Sequence, residues 1–420
     1  MEEYKLSGIN EKIYYEKLDN GLSIYMLPQK LNSFNITYTI KAGSLITKFK
    51  KHNKDRWTTV PNGTAHFLEH KMFEEKDGDA FSKFSKYSAS VNAYTTYGNT
   101  TYDVVGSNSF DKCLKDLVLF VNNPVFTTKS VNKEKNIIEE EIKLYELSPE
   151  AIMNFGLEYN LNINDNHKYL ISGTKEDISK INEKHLYDFY DAFYQKENSF
   201  LVITGNFKPL EAISVLKEIF KDEKNTSSKI TTYIPKEPLE IFKRREEKST
   251  SSNLKAFKIG LKLSNKEVKS INPILLDLYL ESILEIKFGD TSEFLNKLTI
   301  NNLINDIIYS TYEVRDDYIL VSFEFISEYE TEIIKLLEEE INNLKINEKD
   351  LQIAKKIQKA SYIRLFEDNI SINEMIVNDI LSNNKITLNK IELINKMNLK
   401  DINKVASIIN LENISIYVIK

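Results

Sequence analysis

The chain has 420 residues, 41% of them hydrophobic and 11% aromatic, with a formal net charge of −6. That length fits about two domains of ~100–200 residues each, and the composition is that of a globular protein with ample material for a core. An acidic balance argues against a nucleic-acid partner, which would present a basic face, and a lone cysteine, Cys113, excludes an internal disulfide and a cysteine-cluster metal site.

In chain order, the N-terminal MEEYKLSGINEKIYYEK carries acidic and polar residues where a signal peptide would be apolar. No run approaches the ~18 apolar residues of a membrane span. A cytoplasmic protein without membrane association is expected, and a single cysteine suits a reducing compartment. GLSIYMLPQ (21–29) and FNITYTIKAGS (34–44) read as strands, rich in β-branched and aromatic residues and broken at Gly or Pro. The lysine run at 48–56 reads as a solvated loop. A helix carrying His66 and His70 follows, then two strands joined by a Gly-Asn turn (88–107), several helices to about residue 195 and a buried strand at 199–207.

Residues 222–251 are polar, with two prolines and a Ser/Thr cluster, and read as a linker region. The order then repeats: a strand in NLKAFKIGLKLS, a long helix, a strand pair through 306–325, further helices and a last strand, NISIYVIK. The expected architecture is α+β, with two similar domains of mainly antiparallel sheet packed with helices. Their bounds are 1–222 and 252–420, with the linker at 223–251.

The helix through NGTAHFLEHKMF (62–73) holds two of the chain's five histidines. At ~100° per residue, His66 and His70 lie ~40° apart, with Glu69 ~60° to the other side of His66. Apolar residues cover nearly all the rest, so the helix is expected to be buried. Burying two imidazoles and a carboxylate together costs several kcal/mol unless they are hydrogen-bonded, paired or coordinating an ion. Imidazoles at i and i+4 can converge on one zinc ion, and a neighbouring carboxylate can take a proton from its water. The competing reading is a pair of core histidines bonded to backbone. Against it stands H-x-x-E-H itself, a pattern with a stated metal chemistry.

A catalytic zinc needs a third protein ligand. His167 and His185 each sit in a stretch without a second candidate ligand. The acidic segment 132–150 is the better source. With Glu141 at zero on a helical wheel, Ile137, Ile138, Leu144 and Tyr145 fall within ~60° and Glu134 at ~20°, while Glu139 and Glu140 point elsewhere. Glu141 and Glu134 are therefore expected on the apolar, inward face.

HFLEH (66–70), NAYTT (92–96) and EKNIIEEEI (134–142) together resemble the inverzincin metallopeptidases of the pitrilysin, insulysin and mitochondrial processing peptidase family. HKYLISGT (167–174) and NSFLVITGNF (198–207) are fainter echoes, and the region after HFLEH is most similar to a cytoplasmic subgroup of Gram-positive bacteria. The resemblance implies half of a clamshell peptidase, with His66, His70 and Glu141 as zinc ligands and Glu69 as general base. It makes Glu134 a carboxylate that orients a ligand histidine. It also implies that the strand at Asn92, Ala93 and Tyr94 takes unfolded peptide as an added strand; the alternative is a plain core hairpin.

One departure stands out. The family's second half commonly bears an Arg and a Tyr that hold the substrate carbonyl. Here Thr299 stands at the Arg position and Asn305 or Asp306 at the Tyr position. The expected partner is a homologous zinc-less chain in a heterodimer, with a homodimer as the alternative. The competing functions are a non-catalytic processing or scaffold subunit and a peptide-binding protein of the same fold.

Overall fold

The computed structural model describes residues 1–51, 55–75, 78–225, 228–250, 255–304 and 308–420. Asn305 and Asp306 lie outside the described residues. Two compact units are built from interleaved segments: the first from Met1–Ile142, Leu170–Ile234 and Ile363–Asn389, the second from Lys143–Tyr169, Pro235–Tyr362 and Lys390–Lys420.

The first unit contains strands β1 (Glu2–Lys5), β2 (Lys12–Lys17), β3 (Ser23–Pro28), β4 (Phe34–Ile40), β5 (Lys48–Lys51), β6 (Thr58–Thr59), β7 (Glu74–Glu75), β8 (Gly78–Asp79), β9 (Ser90–Thr95), β10 (Thr100–Gly106), β11 (Ser199–Gly205) and β12 (Ile230–Thr232). Its main sheet has the order β1-β2-β3-β11-β4-β10-β9, antiparallel except for the parallel pair β3/β11. β4 and β11 are buried at every residue, the signature of central strands covered on both faces. β9 alternates Val91 buried, Asn92 exposed, Ala93 half-buried and Tyr94 exposed, as an edge strand should.

One face of this sheet is closed by helices following it in the first half, among them Phe110–Asn122 and Glu183–Phe193. The other is covered by the helix Asn369–Asn383, whose Ile372, Ile376, Val377 and Ile380 pack on Leu27, Phe200 and Val202. Asn373 of that helix, fully buried, is satisfied by Thr37 Oγ1 at 2.9 Å and donates to Val202 O and Thr204 Oγ1, both at 3.2 Å. A buried amide so bonded costs little and fixes register.

The second unit has β13 (Arg245–Lys248), β14 (Ala256–Ser264), β15 (Tyr309–Val314), β16 (Tyr318–Ile326) and β17 (Ile414–Ile419) in the order β13-β17-β14-β16-β15. The helix Pro149–Leu161 packs on one face against Ala256, Tyr318, Leu320 and Tyr417. Pro273–Phe288 lies in the larger core cluster with Phe257, Ile259 and Phe323. Both units are thus α+β with largely antiparallel sheets, as expected from the strand pattern.

Each unit also takes in a segment from the other half of the sequence, 363–389 in the first and 143–169 in the second. The expected bounds of 1–222 and 252–420 are therefore crossed twice. The physical reason is that a sheet with apolar residues on both faces needs a helix on each. The expected linker is likewise not free chain: β12 pairs with β5, β13 pairs in parallel with β17, and Glu237 is buried. The 48–56 segment, read as a loop, begins as β5 in a three-stranded sheet with β12 and β6. Among the described residues no helix is long and apolar enough to cross a membrane.

Candidate metal centre

The site begins with the helix Thr64–Met72. It is buried at every residue except His70, which is half-buried, as the apolar surround of its histidines required. Its N-terminus is fixed by close packing. Gly63, with φ +78°, caps it, and a β-carbon there would lie 2.1 Å from the Ser172 carbonyl oxygen. Gly173 (φ +73°) packs closely in return, so a β-carbon on it would sit 2.7 Å from Asn62 O. Only glycine tolerates such a left-handed close approach. The Ser172-Gly173-Thr174 stretch therefore serves as the seat against which the histidine helix starts.

The second element is the helix Thr128–Leu147. Its buried line is Ser130, Val131, Ile138 and Ile142. Glu134 and Glu141, both half-buried, flank that line. The expectation of one apolar inward face is corrected here: Ile138 is fully buried, but Ile137, Leu144 and Tyr145 are 46%, 66% and 38% exposed. Apolar character within ~60° of a residue does not fix which side a helix presents when only a narrow stripe is covered.

Between these helices His66, His70 and Glu141 bring one ligand atom each within 4.8 Å of one another. His66 Nε2 is 3.5 Å from Glu141 Oε1, and His70 Nε2 is 3.3 Å from Glu141 Oε2. Donor atoms bound at ~2.0–2.1 Å to one tetrahedral ion lie about 3.4 Å apart. The two contacts go to different oxygens of Glu141, and together they bring both imidazoles and the carboxylate close enough for one ion to sit between them. The donor set, two imidazole nitrogens and a carboxylate oxygen, fits zinc. This is the group of that kind found among the described residues.

Glu134 Oε1 lies 3.2 Å from His70 Nδ1, which fixes that ring through its other nitrogen. His66 Nδ1 is buried with no hydrogen-bond partner. Burial opposes a charged His70, but the hydrogen bonds it donates to Glu134 and Glu141, backed by the charge of Glu69, outweigh it and push its pKa up to about 10.

Glu69, 7% exposed, accepts a hydrogen bond from Thr95 Oγ1 at 2.8 Å. Thr95 ends β9, the strand of Asn92, Ala93 and Tyr94. Sequence reasoning missed Thr95; its position inside NAYTT was the available signal. β9 is the terminal strand of its sheet, with β10 on its inner side, and the histidine helix packs against it.

His167 and His185 do not join the cluster. His167 is buried in the second unit, with Nδ1 2.8 Å from Asp165 Oδ1. His185 lies in the helix Glu183–Phe193. Thr299 is exposed in the helix Glu293–Ile300, its hydroxyl turned back to Leu295 O at 2.9 Å.

The family model for insulinase (peptidase family M16) matches residues 57–175, which include His66, Glu69, His70, Glu134 and Glu141. A model for the peptidase M16 inactive domain matches residues 180–358. YmfH of Bacillus subtilis, named an uncharacterized zinc protease, is 34% identical over 371 residues, 84% of this chain and 82% of that protein. An uncharacterized zinc protease of Rickettsia bellii is 28% identical over 220 residues, 50% of each chain. Among solved structures, a protein from Alicyclobacillus acidocaldarius described as M16-like aligns with a TM-score of 0.91 at 23% identity, over 98% of both chains. A protease from Helicobacter pylori aligns with a TM-score of 0.82 at 19% identity, over 98% of this chain and 99% of that one. At such identities the likeness is one of fold.

Proposed function

Because the chain belongs to the peptidase M16 family, we propose that it is a zinc-dependent endopeptidase for short unfolded peptides. The observation that carries this reading is the convergence of His66, His70 and Glu141, one ligand atom each within 4.8 Å of one another, beside the buried carboxylate of Glu69. In it, His66, His70 and Glu141 hold the ion and Glu134 orients His70. A zinc ion held there would supply a Lewis acid and would lower the pKa of water in the site towards ~7. Glu69 takes the proton of the attacking water and returns it to the leaving amine. Asn92, Ala93 and Tyr94 receive the peptide along the open edge of β9, a mode that reads backbone and so suits extended chains.

A second chain completes the substrate clamp in this proposal. The motivation is Thr299 where an arginine is expected. The second unit's own arginines are engaged elsewhere: Arg315 is buried against Glu158 at 2.6 Å and Glu313 at 2.6 Å, Arg245 pairs with Glu330, and Arg244 donates to Glu412 O at 3.1 Å. The partner is a homologous chain bearing the Arg/Tyr pair and no zinc, in the cytoplasm.

The test is peptide turnover by zinc-loaded wild type and Glu69→Gln, each alone and with a partner chain. Turnover by the wild type and its loss in Glu69→Gln at equal zinc content are expected. Turnover that survives Glu69→Gln sinks the mechanism, and full activity of a monomer sinks the two-chain clamp.

A further inference from the structure

We propose that Thr95 is the positioning residue for Glu69, holding that carboxylate from the strand on which a peptide would dock; this rests on the peptidase reading above. Thr95 Oγ1 donates to Glu69 Oε2 at 2.8 Å. Side-chain alternation explains why Thr95 reaches it. Val91 and Ala93 pack into the core under the sheet, so Thr95, two residues on, points to the same side. Asn92 and Tyr94 point to the other.

The backbone of Thr95 faces elsewhere. The Thr96 N–H donates to Asn99 O at 2.8 Å, which marks 96 and 99 as a hydrogen-bonded pair. In an antiparallel ladder bonded and non-bonded pairs alternate. The register Tyr94↔Thr101 and Asn92↔Asp103 then gives the next bonded pairs. Ala93 and Thr95 fall at non-bonded positions, with their N–H and C=O groups turned towards the outer edge of β9. One residue therefore offers its main chain to an added strand and its hydroxyl to Glu69.

The turn beyond Thr95 is already rigid. Ser44 N–H donates to Thr96 O and Leu45 N–H to Tyr97 O, both at 3.0 Å, and Thr96 Oγ1 donates to Asn99 Oδ1 at 2.6 Å. Gly43 packs so closely that a β-carbon on it would lie 2.4 Å from Thr96 O. The hydroxyl is held on one oxygen of Glu69, Oε2, which leaves the other for proton transfer.

The experiment compares Thr95→Val, which keeps the shape and loses the donor, with Thr95→Ser, which keeps the donor. In zinc-loaded protein, with its partner chain if turnover needs one, Thr95→Val is expected to lower kcat about 10- to 100-fold with KM within about twofold. Thr95→Ser is expected to stay within about threefold of wild type, and zinc content is unchanged in both. Wild-type kcat in Thr95→Val, or a Thr95→Ser variant as poor as Thr95→Val, overturns the proposal. Glu69→Gln run alongside separates the two failures, since turnover surviving it refutes the base and not the contact. Metal-free crystal structures of wild type and Thr95→Val then decide independently of activity. A Glu69 carboxylate displaced from its place beside residue 95 supports the proposal, and one that stays put without the hydroxyl overturns it.

Discussion

Gly63→Ala is the substitution by which the seating of the histidine helix is most sharply tested. The new β-carbon would lie 2.1 Å from Ser172 O and 2.6 Å from the Ser172 carbonyl carbon, both backbone atoms that cannot swing aside. Holding a non-glycine residue at φ +78° costs about 1–2 kcal/mol. Relieving the overlap by shifting the helix start or the 172–173 backbone adds about 1–3 kcal/mol. The sum, about 2–5 kcal/mol, is a large fraction of a typical stability of ~5–15 kcal/mol. Trp57, the sole tryptophan, lies in the first unit and reports its unfolding by fluorescence. Without metal, the urea midpoint should fall by about 1–2 M. Gly98→Ala is the control: nothing lies within 4 Å of its would-be β-carbon, and a change within about 0.5 kcal/mol is expected. Equal midpoints for the two variants would refute the claim that the helix is seated by glycine contact.

Glu134→Gln removes the carboxylate 3.2 Å from His70 Nδ1 and should weaken zinc binding about 10- to 100-fold, measured by competition with a chromophoric chelator; unchanged affinity would contradict its orienting role. In the metal-free chain His70 keeps its proton up to about pH 10, and a ligand imidazole must be neutral. Zinc uptake therefore releases that proton, and apparent affinity should rise about tenfold per unit between about pH 6 and pH 8. A flat profile would contradict displacement of the His70 proton by the metal. In the second unit Lys262 and Glu237, both with fully buried side chains, pair at 2.6 Å. Lys262→Met removes the cation and leaves the buried carboxylate only the backbone N–H groups of Ile163, Asn164 and Asp165; the loss should be about 3 kcal/mol, read as a lowered calorimetric transition, and an unmoved transition would contradict it.

Much of this site was legible because its chemistry is concentrated within single helical turns. Two imidazoles and a carboxylate in HFLEH could not be buried cheaply, and the structure buries His66 and Glu69 and half-buries His70. Glu134 and Glu141 were legible by spacing, because seven residues bring two side chains to one helix face. Their neighbours Ile137, Leu144 and Tyr145 were misread, since an apolar side chain records no partner and these three are exposed. Thr95 was hidden because a threonine in a strand is ordinary on propensity grounds; only three-dimensional packing brings it to Glu69. The helix Asn369–Asn383 was legible as a helix but not as the cover of a sheet some 160 to 350 positions earlier. Amphipathicity says that a face is covered and not by what. β1 and β2, short and mostly half-exposed, gave no clear alternation.

Anomalous scattering at the zinc edge from crystals of the zinc-loaded chain tests the central claim most directly. The account predicts one peak bonded at ~2.0–2.2 Å to His66 Nε2, His70 Nε2 and a Glu141 carboxylate oxygen. A zinc peak that leaves out any of these three, or no peak between them at saturating metal, would contradict it.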